Sequence, residues 1–186
     1  QILGTFGKFG VLSFNGNKMI TTSGGGALIC RNAEDANTIM WYATQARDAY
    51  PYYQHTAIGF NYRMPNINAA LGCAQLENLD KYVASKRKVA AEYIEHFKNV
   101  DGIDFFAEPE NTFSNYWLSA VVLKDKESQF DFLQQTNDNG VMTRPIWELM
   151  SRLPMFDNCQ NDGLQNTIWF ADRVVNIPSS VRPEDL

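Results

Sequence analysis

The sequence has little cysteine and no arrangement of cysteine that points to a disulfide framework. Its three cysteines, Cys30, Cys73 and Cys159, lie far apart and form no CxxC pair. Small domains held together by disulfides use an even number of closely spaced cysteines, so the pattern favours a reducing compartment. We predict a cytoplasmic protein. The absence of CxxC, HxxxH and clustered carboxylates predicts no metal site.

Positive charge and long hydrophobic runs are also scarce. The formal net charge is −5 at pH 7, whereas a surface that follows a nucleic-acid backbone needs clustered Lys and Arg. No apolar run approaches the roughly 20 residues that span a membrane. We therefore expect neither nucleic-acid nor membrane partners. With 45% hydrophobic and 20% charged residues, the composition is that of an ordinary globular protein.

The beginning of the sequence is unusual. It starts QILGTFGKFG, without methionine, and runs at once into strand-like sequence. No charged-then-apolar signal peptide is present in these residues. We expect the chain to begin inside a longer protein.

The first 80 residues have an α/β pattern. Residues 10–14 and 26–30 are short apolar runs bounded by glycine, which predicts two buried strands. Asn32 is a predicted helix cap, with the apolar face of its helix running to Ala46. Pro65 is placed to begin a second helix, and Asp80 to cap a third, longer one.

The remaining residues predict a smaller α+β unit. After the break at 101–102, we expect strands at 116–123, 141–144 and 174–177 and a helix at 128–137 that ends at Gly140. The predicted domain boundary lies near residue 80, which divides the chain into residues 1–80 and 81–186.

The most informative segment for chemistry surrounds Lys18. It lies on a loop after a predicted strand, five residues beyond Ser13 and shortly before the glycines 24–26. An amine, a hydroxyl and a glycine run are what a phosphorylated aldehyde cofactor requires, but a surface lysine beside a flexible turn has the same spacing. The segment is not a Walker loop, because the lysine precedes the glycines.

Three motifs in order along the chain resolve this ambiguity. They are SFNGNKMITTSGGGALI (13–29), GFNYRMPNINAALGCAQLE (59–77) and VMTRPIW (141–147), the last followed by LPMF and IPSS. Together they resemble the C-terminal half of the DegT/DnrJ/EryC1/StrS family of nucleotide-sugar aminotransferases, which depend on pyridoxal 5'-phosphate. The resemblance is strongest to the branch that aminates sugars for legionaminic acid.

The resemblance implies a role for individual residues. Lys18 matches the catalytic lysine that holds the cofactor as a Schiff base, and Ser13 the serine that binds its phosphate. Asn61 matches an asparagine that reaches the phosphate from the neighbouring subunit, which implies a homodimer with shared active sites. Arg63 and Trp147 match positions near the substrate, although a structural arginine and a packed tryptophan are equally compatible with the motifs. Relatives often carry a histidine soon after this tryptophan, where the present chain has Met150-Ser151-Arg152.

The fold implied is the aspartate aminotransferase-like fold type I: part of a large α/β domain over residues 1–80 and a small α+β domain over residues 81–186. The implied reaction moves an amino group from glutamate to a nucleotide-linked 4-keto-6-deoxy sugar. A related sugar dehydratase carries histidine in place of the lysine, and Lys18 argues against it. A non-catalytic chain that folds and dimerises stays open, because several cofactor contacts of the family should lie upstream of residue 1. A Rossmann module is disfavoured by the absence of GxGxxG.

Overall fold

The computed structural model describes residues 2–185. The chain folds into two compact units, one ending at Leu79 and the other beginning at Asp80. We call them the N-terminal unit and the C-terminal unit. The division lies beside the predicted boundary, while the assignment of the two units to a large and a small domain stays a prediction.

The N-terminal unit contains one β-hairpin and two helices, followed by the start of a third. Strands β1 and β2 pair antiparallel, with Ser13 opposite Gly26 at the loop end. Asn32 caps α1 as predicted, because its side-chain oxygen accepts a hydrogen bond from the Asp35 N–H at 2.8 Å. The elements are β1 (Phe9–Ser13), β2 (Gly26–Cys30), α1 (Ala33–Ala43) and α2 (Asn66–Leu76).

The C-terminal unit is a four-stranded antiparallel sheet with helices packed on its core. The strand order is β3-β4-β6-β5. Val121 and Val175 are fully buried at its centre, where aromatic and aliphatic side chains of α3 and α4 pack against them. Its elements are α3 (Leu79–Phe97), β3 (Ile103–Phe105), β4 (Ser119–Leu123), α4 (Lys126–Asp138), β5 (Arg144–Pro145), α5 (Gln165–Ala171) and β6 (Val174–Ile177), with 3-10 turns at Met150–Arg152, Pro154–Phe156 and Pro183–Asp185.

The prediction that the first two strands are buried is wrong for this chain. Of the residues in β1 only Gly10 is buried, and Val11 is 75% exposed. The apolar sequence is that of interior strands. In the part of the chain that the structure describes, however, no third strand pairs with β1 or β2, and most residues on both of their faces are exposed.

Several predicted boundaries also shift, each for a local reason. The first helix ends at Ala43 rather than Ala46, because Ala46 has a left-handed φ of 50°. The strand predicted from residue 116 begins at Ser119, since Tyr116 has a φ of 45°. The next helix begins earlier than predicted, at Lys126, because Asp125 caps it.

The other shifts are small. Pro65 caps α2 from outside the first helical residue, and Asp80 lies in the first turn of α3. The strand predicted at 141–144 shares only Arg144 with the observed strand, Arg144–Pro145. Gly140 ends α4 with a φ of 78°, and the strand Val174–Ile177 has the predicted bounds.

An ion pair fixes the irregular segment that leads into β4. The Arg87 guanidinium on α3 donates to both carboxylate oxygens of Glu108, at 2.8 and 2.9 Å. Glu108 also accepts the Ser114 N–H at 2.6 Å. The Arg87 hydrogen bond, followed by the Ser114 N–H, lowers the pKa of Glu108 to about 2.

This depressed pKa makes a prediction about acid stability. The folded state favours the ionised form of Glu108. The contribution of this carboxylate to the free energy of unfolding is therefore complete above the usual pKa of 4.5 and is lost as the pH falls towards 2. We expect the urea midpoint of Glu108→Gln to decline less between pH 5 and pH 2.5 than that of the wild type. Glu110→Gln, a change at an exposed neighbour, should follow the wild-type decline. Parallel pH curves for wild type and Glu108→Gln would contradict this interpretation.

Candidate cofactor site

Lys18 lies in a loop whose two ends are joined by hydrogen bonds. The loop, residues 14–25, joins β1 to β2. The Phe14 N–H donates to the Gly25 carbonyl at 3.0 Å, and the Phe14 carbonyl accepts the Thr22 N–H at 3.0 Å. The Thr21 hydroxyl donates to the same carbonyl at 3.2 Å. These bonds close an inner loop of residues 15–21 with Lys18 near its middle.

The inner loop begins with a tight turn. The Lys18 N–H donates to the Asn15 carbonyl at 3.0 Å, and the Asn15 side-chain amide donates to Asn17 Oδ1 at 3.4 Å. Asn and Gly are favoured in such turns, which is why NGN precedes the lysine. Lys18 is half-buried. Ser13 is exposed, and its Oγ accepts the Asn15 N–H at 3.5 Å, so the predicted hydroxyl and amine belong to one connected segment.

Asn61 lies in a segment that main-chain hydrogen bonds hold against the C-terminal end of α1. The Phe60 N–H donates to the Tyr42 carbonyl at 2.8 Å, and the Tyr62 N–H donates to the Ala43 carbonyl at 2.9 Å. At Gly59 a Cβ would overlap the backbone of Ala46, so only glycine permits this approach. The side chain of Asn61 is exposed.

The glycine run and the Asn61 segment line the same cleft. Its volume is about 330 Å³, at the lower end of the roughly 300–1,000 Å³ of small-molecule sites. Of the described residues, the lining includes Asn61 and Arg63 and leaves out Ser13 and Lys18. Among residues 2–185, the lining consists of Gly24, Gly25, Gly26, Asn61, Tyr62, Arg63, Met64 and Pro65.

The donor set of this region fits a phosphorylated cofactor. The Asn61 amide and the Arg63 guanidinium in the lining supply N–H donors, and strand β1 ends at Ser13, whose exposed hydroxyl is a further donor outside the lining. Two of the three glycines are required where they stand: Gly25 has a φ of 121°, and a Cβ on Gly26 would lie 2.5 Å from the Leu12 carbonyl oxygen. Backbone without side chains beside several donors is how proteins accommodate phosphate.

Trp147 belongs to the C-terminal unit, whereas Lys18 belongs to the N-terminal unit. The Trp147 side chain is 67% exposed, and its indole stacks on Trp117 with ring centroids 6.4 Å apart and planes at 29°. The Trp117 carbonyl accepts the buried Lys86 ammonium at 3.1 Å. Sequence reasoning identified Trp147 but missed Trp117, for which no spacing signal exists.

The two histidines have different surroundings. The His55 Nδ1 lies 2.9 Å from the Gln45 carbonyl, a contact that helps shape the loop before Gly59. His96 is exposed on α3. Among residues 2–185 no group of three or more His, Cys, Asp and Glu side chains is placed to hold a metal. No helix in that range is both long and apolar enough to cross a membrane.

Sequence reasoning also missed the residues of α2 that contact the lysine loop. The Asn68 side-chain N–H donates to the Thr22 carbonyl at 2.6 Å. The Gln75 Oε1 accepts the Thr21 N–H at 3.4 Å. Their signal was present in the motif, since polar residues seven positions apart lie on one face of a helix.

Comparison with known proteins identifies the class. In fold, the chain matches a crystal structure of the aminotransferase TlmJ from Streptoalloteichus hindustanus with a TM-score of 0.90 at 23% identity, covering 100% of this chain and 50% of that one. The predicted fold class is therefore confirmed: the chain has part of the aminotransferase fold type I.

The family follows from sequence. The model of the DegT/DnrJ/EryC1/StrS aminotransferase family matches residues 1–185, and the chain belongs to this family of pyridoxal phosphate-dependent enzymes. EpsN of Bacillus subtilis (strain 168), whose name assigns it a pyridoxal phosphate-dependent aminotransferase activity, is 41% identical over 154 residues, covering 83% of this chain and 40% of EpsN. GDP-perosamine synthase of Escherichia coli O157:H7 is 30% identical over 180 residues, covering 96% of this chain and 48% of the synthase. The chain thus spans about half the length of the relatives it matches.

Proposed function

We propose that this chain is the cofactor-holding second half of a pyridoxal phosphate-dependent aminotransferase that aminates a nucleotide-linked 4-keto-6-deoxy sugar for surface glycans, with glutamate as amino donor. Membership in the family supports the class of reaction. The similarity to GDP-perosamine synthase supports a nucleotide sugar as acceptor. The observation that carries the proposal is the hydrogen-bonded loop that holds Lys18 between Ser13 and the glycine run, where the glycine run and the Asn61 segment line one cleft.

Each site residue has a proposed task. Lys18 Nζ holds the cofactor covalently, and Ser13 and Asn61 donate hydrogen bonds to its phosphate. When bound, the cofactor supplies an electron sink for the carbon that loses a proton. While the amino donor occupies the site, the Lys18 Nζ would accept the proton from the donor's α-carbon and would then donate it to the carbon of the cofactor that receives the amino group. Arg63 and Trp147 contact the acceptor sugar or its nucleotide, so removal of either should raise KM for the sugar.

The exposed surface around Asn61 supports a dimer. Ile58 and Ile67 flank the cleft segment and are each 86% exposed, and Tyr62 is 76% exposed. Apolar side chains exposed together are typical of an interface. We propose that a second copy of the chain covers this surface and that Asn61 of each copy reaches the cofactor held by the other.

The Lys18 role is tested by trapping. The protein is incubated with pyridoxal phosphate, reduced with borohydride and mapped by peptide mass spectrometry, both as this chain and as a version extended upstream to the relatives' length. We expect an adduct on Lys18 that Lys18→Ala abolishes, with Lys8→Ala as a control that retains it. Lack of Lys18 labelling in this chain alone would identify a non-catalytic fragment. The same failure in the extended version would contradict the proposal.

The shared site is tested by complementation. Lys18→Ala and Asn61→Asp chains, extended as above, should each lose at least tenfold in activity. If Asn61 serves the neighbouring copy, each mixed dimer has one site with both residues intact. Random mixing in equal amounts should then restore about a quarter of wild-type activity, since half of the dimers are mixed. No recovery beyond the two variants measured separately would place Asn61 in its own copy's site.

A further inference from the structure

One face of α2 points at the lysine loop. Asn68, Gly72 and Gln75 are spaced by four and three residues, so they lie on one side of the helix. All three meet the same two loop residues, Thr21 and Thr22. Asn68 donates a hydrogen bond to the Thr22 carbonyl, Gln75 accepts one from the Thr21 N–H, and Gly72 lies close to the Thr22 methyl group.

Thr22 is the point at which these contacts converge. Its side chain is 2% exposed, and its hydroxyl donates to the Gly24 carbonyl at 2.7 Å. Its carbonyl accepts the Asn68 N–H at 2.6 Å. A Cβ on Gly72 would lie only 2.9 Å from the Thr22 methyl carbon. That methyl cannot rotate away without breaking the hydroxyl bond to Gly24, because both groups sit on the same Cβ.

A displacement of Thr22 is transmitted to the lysine. The Thr22 N–H and the Thr21 hydroxyl both bond the Phe14 carbonyl, which closes the inner loop around Lys18. If Thr22 moves, the closure of residues 15–21 moves with it. This face of α2 therefore sets the position of the turn that contains Lys18 relative to strands β1 and β2.

We propose that Asn68 and Gly72 are positioning residues for Lys18, setting the place at which its amine meets the cofactor, with Gln75 as a weaker third contact. This inference rests on the proposed function of Lys18. Neither residue touches the reacting atoms: Asn68 holds the loop by its donated hydrogen bond, and Gly72 by admitting the Thr22 methyl group. The Asn68 role requires a donor, since its partner is a carbonyl.

The hydrogen bond is tested by an isosteric change. Asn68→Asp replaces the donor by a second acceptor facing the Thr22 carbonyl, with no change of shape. We expect the rate of borohydride-trapped labelling at Lys18 to fall at least tenfold, and hydrogen exchange of residues 14–25 to accelerate by a similar factor. Asn66→Asp adds the same charge at an exposed position of the same helix and should label Lys18 within twofold of wild type. Equal losses in both variants would assign the effect to charge and overturn the Asn68 role.

The steric contact is tested by rescue. Gly72→Ala should reduce Lys18 labelling at least fivefold, although alanine is the better helix former. Adding Thr22→Ser removes the clashing methyl and keeps the hydroxyl that bonds Gly24, so the double variant should regain at least half of the labelling of Thr22→Ser alone. Labelling of Gly72→Ala at the wild-type level, or a double variant without recovery, would overturn the proposed role of Gly72.

The controls separate the possible failures. Labelling at Lys18 is compared with labelling of the buried Lys86 in the same sample, because loss of global folding would expose Lys86 and raise its labelling while labelling of Lys18 falls. Wild-type protein without Lys18 adduct, in the extended version, would refute the proposed function itself. A labelled wild type with unaffected Asn68→Asp and Gly72→Ala variants would refute only the positioning role.

Discussion

The hydrogen bond from Asn68 to the Thr22 carbonyl is the contact on which the candidate site depends. Thr22 is buried, yet it belongs to a loop between two largely exposed strands, which supply little packing of their own. A buried carbonyl left without a donor would cost about 1–3 kcal/mol. The amide on α2 therefore both satisfies the backbone and fixes the loop. Because the Phe14 carbonyl then closes the inner loop, one helix determines the position of Lys18.

The N-terminal unit leaves much of its apolar surface exposed. The sequences of β1 and β2 are those of a sheet interior, but within the described residues these two strands pair only with each other. Val11 on β1 and Ile67 on α2 stay 75% and 86% exposed. A globular protein rarely leaves such surface uncovered, and the chain spans only about half the length of its relatives. The C-terminal unit, by contrast, encloses its own core around Val121 and Val175.

The family resemblance predicted the fold class, whereas capping chemistry and an apolar run, which are local signals, predicted the Asn32 cap and the strand Val174–Ile177. Prediction from the sequence failed for features that depend on contacts between residues far apart in the chain. Burial of β1 depends on what lies beside it, and the left-handed Tyr116 is held by surrounding bonds to the irregular segment before β4. Lys18 was identified by motif, and the structure adds its closed loop. The spacing of Asn68 and Gln75 indicates a polar helix face, but it does not identify Thr22, 46 residues before Asn68, as the partner.

The proposed attachment of pyridoxal phosphate to Lys18 beside the glycine cleft is tested most directly by crystallography. The protein would be extended upstream to the length of its relatives and crystallised with the cofactor. We predict continuous density from Lys18 Nζ to the cofactor, with the phosphate within hydrogen-bonding distance of the Ser13 hydroxyl and of an Asn61 amide. Cofactor joined to a different lysine, or bound with its phosphate away from Ser13 and every Asn61, would contradict this prediction.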